Sequence, residues 1–398
     1  SLQVVFSSPH ISCLHRRAKL KVRAAMDLPS TVQEVPTPCL LVDLDRVKKN
    51  CTAMRERCEN LGLQLRCHMK THKTLELGEI MTNGSKRCIT VSTIKEAQFF
   101  ADGGYDDILY AYPLTANKIP ILQGFVNKLE SFHVTVDSDY NLDILRDSTL
   151  NDGKKWSVFV MVDTGYGRDG VKWDDKAAVD FILRVNESPN IVFQGLYTHE
   201  GIAYNARGRD QLRTIGGTVV DNIASLAQRL KEAGIECCNV GIGSTPSASH
   251  PPSNTNLLTE LHPGNYVFYD SMQAMIGSCT KDDIACRVAT RVVNHLSHSN
   301  SLLIDCGWEG LSLDGKDELP TGFCMFQNNP NLKLVKMTQE IGTVQAVEGT
   351  LDFSKYPLGS MLYMYPYHAC ATASMHPVYY IHEGDNIIDT YSPCRGWY

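Results

Sequence analysis

The sequence predicts an α/β fold, a (β/α)8 barrel followed by an all-β C-terminal domain. Three observations carry that prediction. Apolar strand-sized runs alternate with amphipathic helical patterns over residues 45–276. Their number suits a closed eight-stranded barrel better than an open sheet of four or five strands. From about residue 277 the helices thin out, and short strand-like runs follow one another between turn signals. A doubly wound sheet is the second reading of the first part. Residues 26–44 form an N-terminal segment that can pair with the β domain, and 277–398 form that domain.

The elements follow in order. Residues 1–25 hold five Lys and Arg and no acid. They read as a targeting segment or an upstream extension and are set apart from the fold. Cys39 to Val42 is a short apolar run, hence a strand. Asp43 or Asp45 can cap the helix after it, and Gly62 can close that helix. The stretch "LQLRCHMKTHKT" (63–74) then alternates. Leu63, Leu65, Cys67 and Met69 are apolar; Gln64, Arg66, His68, Lys70 and His72 are polar. A period of two means a strand with one packed face and one face of titratable groups. A purely solvated face is the plain alternative. Further strand-like runs are "CITVST" (88–93), "DILYAYP" (107–113), "FHVTVDS" (132–138), "WSVFVMVDTG" (156–165), "IVFQGLYTHEG" (191–201) and "CNVGIGS" (238–244). Helical patterns such as "IKEAQFFADGG" and "TVVDNIASLAQRLKEAG" lie between most of them. In the last part, "ACRVATRVVNHLSHSNSLLIDCG", "LKLVKMTQEIGTVQAVEG", "MLYMYPYHACATASM" and "PVYYIHEGDNIIDTYS" read as short strands.

Composition excludes several classes. The formal charge of −6 advertises no basic patch, so no nucleic-acid partner is expected. The apolar runs fall far short of the roughly 20 residues of a membrane span. Fourteen cysteines include no C-x-x-C pair, and Cys237 and Cys238 are adjacent. Reduced thiols and a cytoplasmic setting are expected.

In α/β barrels, chemistry gathers where strands end and βα loops begin. That rule brings Lys70–His72, Asp163–Arg168, Tyr197–His199 and Gly243–Thr245 around one mouth. The loop "GIGSTPSASH" (241–250) offers free backbone N–H groups and hydroxyls, a cradle for phosphate or an ordinary Gly/Ser/Pro turn. "YTHEGIAY" (197–204) gathers two tyrosines, a histidine and a glutamate at a strand end. In "YHAC" (367–370), a strand conformation would turn His368 and Cys370 the same way. Imidazole with thiolate favours zinc; a buried Cys beside a backbone-bonded His is the plain alternative. Lys70 shares the polar face with His68 and His72, whereas Lys73 falls on the other. An enclosed amine loses its proton near neutral pH and can condense with a carbonyl. Amine, phosphate cradle and aromatic residues together suggest pyridoxal 5'-phosphate (PLP).

The segments "HMKTHKTLE", "VSTIKEAQFFADGGYDDILYAYP", "IGSTPSASHP", "LTELHPGNYVFYD", "DCGW" and "PYHACATASMHPVYY" add a resemblance. From about Pro36 onward the chain resembles the fold-type III PLP enzymes, and among them the D-serine dehydratase family. Alanine racemase and D-threonine aldolase are relatives. The resemblance implies a PLP barrel and a β domain, in a homodimer with active sites at the interface. It implies Lys70 as the PLP lysine and catalytic base. It implies Gly243, Ser244 and Thr245 as the phosphate loop, and Tyr197, Tyr204 and Tyr266 beside the cofactor. His368 and Cys370 become a pair of Zn2+ ligands. The implied substrate is a small molecule, D-serine, with D-threonine open, and the implied products are pyruvate and ammonia. The alternative is retro-aldol cleavage of D-3-hydroxy amino acids, as in D-threonine aldolase. Racemase and PLP-carrier activities are further rivals. An acidic metal ligand stands in the aldolases where Cys370 stands here. Two departures are visible. Cys67 replaces the usual Pro and is expected to face the helix layer. Glu200 stands where relatives often have Cys, which bears on substrate preference.

Overall fold

The computed structural model describes residues 28–398. The reading of residues 1–25 lies outside the described residues.

The barrel is a parallel sheet that closes on itself. Its members are Ile89–Val91, Ile108–Tyr110, Phe132–Val136, Trp156–Asp163, Ile191–His199, Asn239–Gly243 and Glu260–Leu261, together with a strand in two halves, Gln64–Leu65 and Cys67–His68. The ten strands of this sheet include the short side strand Val171–Lys172. Setting it aside and joining the two halves leaves eight. Closure runs through the divided strand: Gln64 lies opposite Glu260, and Cys67 lies opposite Ile89. Arg66 lies between the halves, and its side chain enters the barrel. Its Nε donates to Glu260 Oε2 at 3.1 Å, and its Nη1 donates to Asp107 Oδ1 at 2.9 Å. His133 Nε2 meets the same Asp107 oxygen at 3.1 Å. An ionic cluster with every charge paired thus occupies part of the barrel interior.

Helix formation follows local rules. Asp43 accepts the N–H of Arg46 at 3.1 Å and starts the helix Leu44–Leu61. Gly62 ends it at φ 67°, a left-handed conformation that costs glycine little. Leu44, Val47, Cys51, Met54 and Cys58 recur at three- and four-residue spacing and form its buried stripe. Two cysteines therefore serve as small core residues.

The second sheet has nine strands. Its long strand Cys286–Leu296 pairs antiparallel with Cys39–Asp43 and with Met361–Pro366. Cys39–Asp43 also pairs in parallel with Tyr379–Glu383. The chain therefore lays one strand of the β domain, builds the barrel, and returns.

The strand reading of "YHAC" is corrected. The strand Met361–Pro366 stops, His368 is the N-cap, and Ala369–Met375 is helical. Three alanines favour the helix. Asp270 Oδ2 accepts the Ala369 N–H at 2.8 Å, which satisfies one of its free first-turn donors. At the other end Arg395 Nη2 donates to Ala373 O and His376 O, each at 2.6 Å.

Candidate active site

A cavity of about 1130 Å³ opens at the C-terminal ends of the barrel strands, with part of its wall from the β domain. Lys70, Tyr197, Tyr204, Gly243, Ser244 and Thr245 line it from the barrel. His368 and Cys370 line it from the β domain. Eight of the residues singled out in the sequence thus share one space.

Three placements differ from those expected. Tyr266 is fully buried outside the cavity lining, and its hydroxyl meets Cys67 Sγ at 3.4 Å. Residues Asn265–Val267 make a tight 3-10 turn, and it is Asn265 that reaches the cavity. His72 is also turned away. Residues 69–73 form a turn closed by the Lys73 N–H to Met69 O at 3.0 Å, so the period of two ends there. His72 packs edge-on to Phe100 at 6.4 Å, and burial pulls its imidazole down to about 3. Lys73 takes a place in the cavity wall and pairs with Glu96 Oε1 at 2.6 Å. Cys67 packs on the helix layer, its Sγ 3.4 Å from Met81 O.

Lys70 sits on that turn with its amine in the cavity. Burial lowers its pKa, and Arg168 and Lys73 lower it further against the opposite pull of Cys370 and Glu96. The amine is pushed toward its neutral form. Three surrounding histidines are also held neutral. Burial drives His68 and His199 well below the ordinary imidazole value, and Lys70 adds to the effect. Burial brings His262 down to about 3.

His262 is a residue the sequence reading missed. Its ring stacks on Tyr197 at 3.9 Å and 11°, and its Nε2 meets Thr198 O at 3.0 Å. The pair makes a flat wall at the cavity floor. Gly243 is required for it, since a β-carbon there would run into His262 Cδ2. Beside it, Ser244 caps the short helix Thr245–Ser249 by accepting the Ser247 N–H. In the cavity lining, the buried hydroxyl Thr245 Oγ1 has no protein partner. Buried hydroxyls ordinarily have one, so this one is open to a polar ligand. A flat aromatic wall, an unpartnered hydroxyl and a deprotonating lysine fit PLP.

Across the cavity, burial raises the Cys370 thiol, but His368 beside it, then Lys70 and Thr71, outweigh burial and hold it below the ordinary value. His368 moves the other way: burial lowers it, and Cys370, Asp270 and Asp314 raise it more. Thr71 Oγ1 stands 3.1 Å from Cys370 Sγ, so the lysine turn touches the cysteine helix. Asp270 accepts from Asn265 Nδ2 at 2.7 Å, from Ala369 N and from Gln273 N at 2.9 Å. It fixes both the turn and the start of the cysteine helix, a role with no signal in the sequence. Among the described residues no cluster of three or more His, Cys, Asp or Glu can hold a metal ion. Thiolate and imidazole fit zinc as a partial set, to be completed by water or substrate.

A parallel barrel with a buried lysine at one strand end, facing a β domain that lends the site a thiol, defines a PLP-dependent enzyme of the alanine racemase architecture. Comparison with known proteins agrees. Residues 42–272 match the alanine racemase N-terminal domain family and residues 285–382 match the putative serine dehydratase domain. The chain belongs to the alanine racemase N-terminal domain family, in the branch that carries the serine dehydratase domain. It is similar to D-serine dehydratase of Dictyostelium discoideum, with 34% identity covering 92% of this chain and 98% of that one. The solved D-threo-3-hydroxyaspartate dehydratase of Delftia sp. HT23 superposes with a TM-score of 0.87 at 28% identity, covering 93% of this chain and 100% of that one. The alanine racemase of Clostridium difficile 630 superposes with a TM-score of 0.63 at 13% identity, covering 91% and 99%, which shows the shared fold.

Proposed function

We propose that this chain dehydrates D-serine to pyruvate and ammonia, with PLP on Lys70 and zinc on His368 and Cys370. The observation that carries the proposal is the meeting of two chemistries in one cavity. The lysine turn and the cysteine helix touch through Thr71 and Cys370. The similarity to a D-serine dehydratase along 92% of the chain points to the same substrate. A D-threo-3-hydroxyaspartate dehydratase variant with its cysteine replaced by alanine has been solved in the metal-free form. That parallel supports a thiolate metal ligand here.

Losing water from D-serine requires a base at Cα and help for hydroxide as it leaves Cβ. When bound, PLP supplies the electron sink that makes the Cα proton acidic. Lys70 Nζ, drawn toward its neutral form, is the group placed to take that proton and hold it. The neutral His68, His199 and His262 keep extra positive charge away from it. The Tyr197–His262 stack gives a planar ring a surface to lie on. Ser244 and Thr245 offer hydroxyls to a phosphate. Zinc held by His368 and Cys370 would supply a Lewis acid for the β-hydroxyl. The functional form is a homodimer with a partner over the cavity mouth, where Tyr166 and Trp397 are 44% and 64% exposed. The free thiols among the described residues suit a cytoplasmic setting.

Product analysis tests the proposal. Zinc-replete protein given D-serine should yield pyruvate and ammonia, lose that activity to a chelator, and regain it with zinc. Glycine and an aldehyde from D-threonine, without pyruvate from D-serine, would mean the aldolase reading. Lys70→Ala should abolish turnover; retention of a few per cent of activity would refute its role. Cys370→Ala should lose zinc and elimination yet keep the PLP absorbance. Unchanged metal content in that variant would refute the ligand assignment.

A further inference from the structure

Glu200 is a fully buried carboxyl one layer behind the cavity wall. Its Oε1 accepts from Ser244 Oγ at 2.6 Å, and the Ser247 hydroxyl lies near it on the side away from the cavity lining. Ser244 itself faces the cavity beside Thr245, whose buried hydroxyl is unpartnered. One hydrogen bond therefore connects a titratable group to the cradle. The surroundings supply no counter-charge. The strand Asn239–Gly243 and the helix Thr245–Ser249 contain no ionisable side chain. The turn Gly201–Asn205 brings Tyr204, kept as the neutral phenol by burial. The neighbouring strand end brings His199, kept neutral by burial. The helix Arg209–Glu232 meets the turn through Leu212 against Ala203 and Ala206. Burial pushes Glu200 up to about 7, against the pull of the Ser244 and Ser247 hydroxyls.

The direction of the Ser244 hydrogen depends on this carboxyl. An ionised Glu200 can only accept, so it draws the Ser244 O–H inward and away from the cavity. A protonated Glu200 can donate to Ser244 Oγ, which frees the Ser244 O–H to donate outward. We propose that Glu200 is a positioning residue for the cofactor phosphate: protonated, it turns the Ser244 hydroxyl toward the phosphate, and ionised, it turns that hydroxyl away and adds a buried like charge. The inference rests on the PLP reading above. It makes PLP affinity fall as pH rises through the Glu200 value. Glu200→Gln keeps a donor next to Ser244 at every pH and so removes the dependence.

The test is reconstitution of the apoprotein with PLP, and separately with pyridoxal, which lacks the phosphate, from pH 6 to 8.5. Wild-type affinity for PLP should fall at least about tenfold more than that of Glu200→Gln over this range, as expected for one coupled proton. Pyridoxal should not show the extra fall, which separates Glu200 from the titration of Lys70. Parallel PLP profiles for wild type and Glu200→Gln would overturn the inference while leaving the PLP reading intact. If Glu200→Gln does not fold, the wild-type comparison decides: equal slopes for PLP and pyridoxal overturn the inference. Absence of PLP binding at every pH would overturn the cofactor reading and this inference with it.

Discussion

Replacing Arg66 by Met is the sharpest test of what holds the barrel closed. Arg66 is 5% exposed, and Glu260, on the closing strand, is 2% exposed. The guanidinium bonds Glu260 at 3.1 and 3.3 Å and Asp107 at 2.9 Å. Methionine keeps much of the stem and removes the charge. Asp107 then retains His133, but Glu260 is left as a buried carboxylate without its cation. Breaking such a pair on one side costs about 3–5 kcal/mol. Replacing both partners by apolar groups removes the stranded charge. Arg66→Met/Glu260→Leu should therefore recover most of the loss, to within about 1–2 kcal/mol of wild type. Urea unfolding followed by far-UV circular dichroism at pH 7 measures all three proteins and Glu260→Leu alone, closing the cycle. An Arg66→Met cost below about 1 kcal/mol would refute the reasoning, as would a double variant no more stable than Arg66→Met.

Other predictions concern the same framework and the site. The Asp107 carboxyl is raised by burial, but His133 and Arg66 outweigh this and hold it at about 2, below the ordinary value near 4. Its contribution, on the order of 2 kcal/mol, is present in full above pH 4 and lost as pH falls toward 2. The stability gap between wild type and Asp107→Asn should shrink on acidification from pH 6 to 3; a constant gap would contradict it. Gly243→Ala drives a β-carbon into His262. It should weaken PLP binding at least about tenfold, with a stability cost of about 1–3 kcal/mol, read by absorbance titration and thermal unfolding. Asp270→Ala frees the Ala369 N–H and the Asn265 amide together. It should lower zinc content more than PLP content, and equal losses of both would place Asp270 outside the metal half of the site.

Much of the barrel was legible because its long strands have buried centres that read as apolar runs. Trp156–Asp163 is of this kind, and Ile191–His199 is buried over its second half, Gly195–Thr198. Glu260–Leu261 escaped notice because it is two residues long and carries the acid that pairs with Arg66. The same brevity hid His262, which directly follows it. Lys70 was legible from alternation that persists through Met69, whereas the turn at 69–73 exchanges the expected places of His72 and Lys73. His368 and Cys370 do reach one cavity, but through an N-cap and a helix. Arg395 and Trp397 also line that cavity, about 325 residues along the chain from Lys70, and no local pattern reports such a meeting.

The place of Cys39–Asp43 has a consequence for how the protein is made. This strand leaves the ribosome first among the described strands, yet both its neighbours, Cys286–Leu296 and Tyr379–Glu383, are translated long afterwards. An apolar segment must therefore wait, unpaired, while the whole barrel is synthesised beside it. A gene cut at the barrel's end would not release two independent modules. The later fragment would carry a slot in the middle of its sheet, open to any extended apolar peptide, and the earlier fragment would trail an unpaired strand. The barrel is in this sense an insertion into the β domain, and the two halves of the active site are delivered to each other by a strand that belongs to neither loop of the mouth.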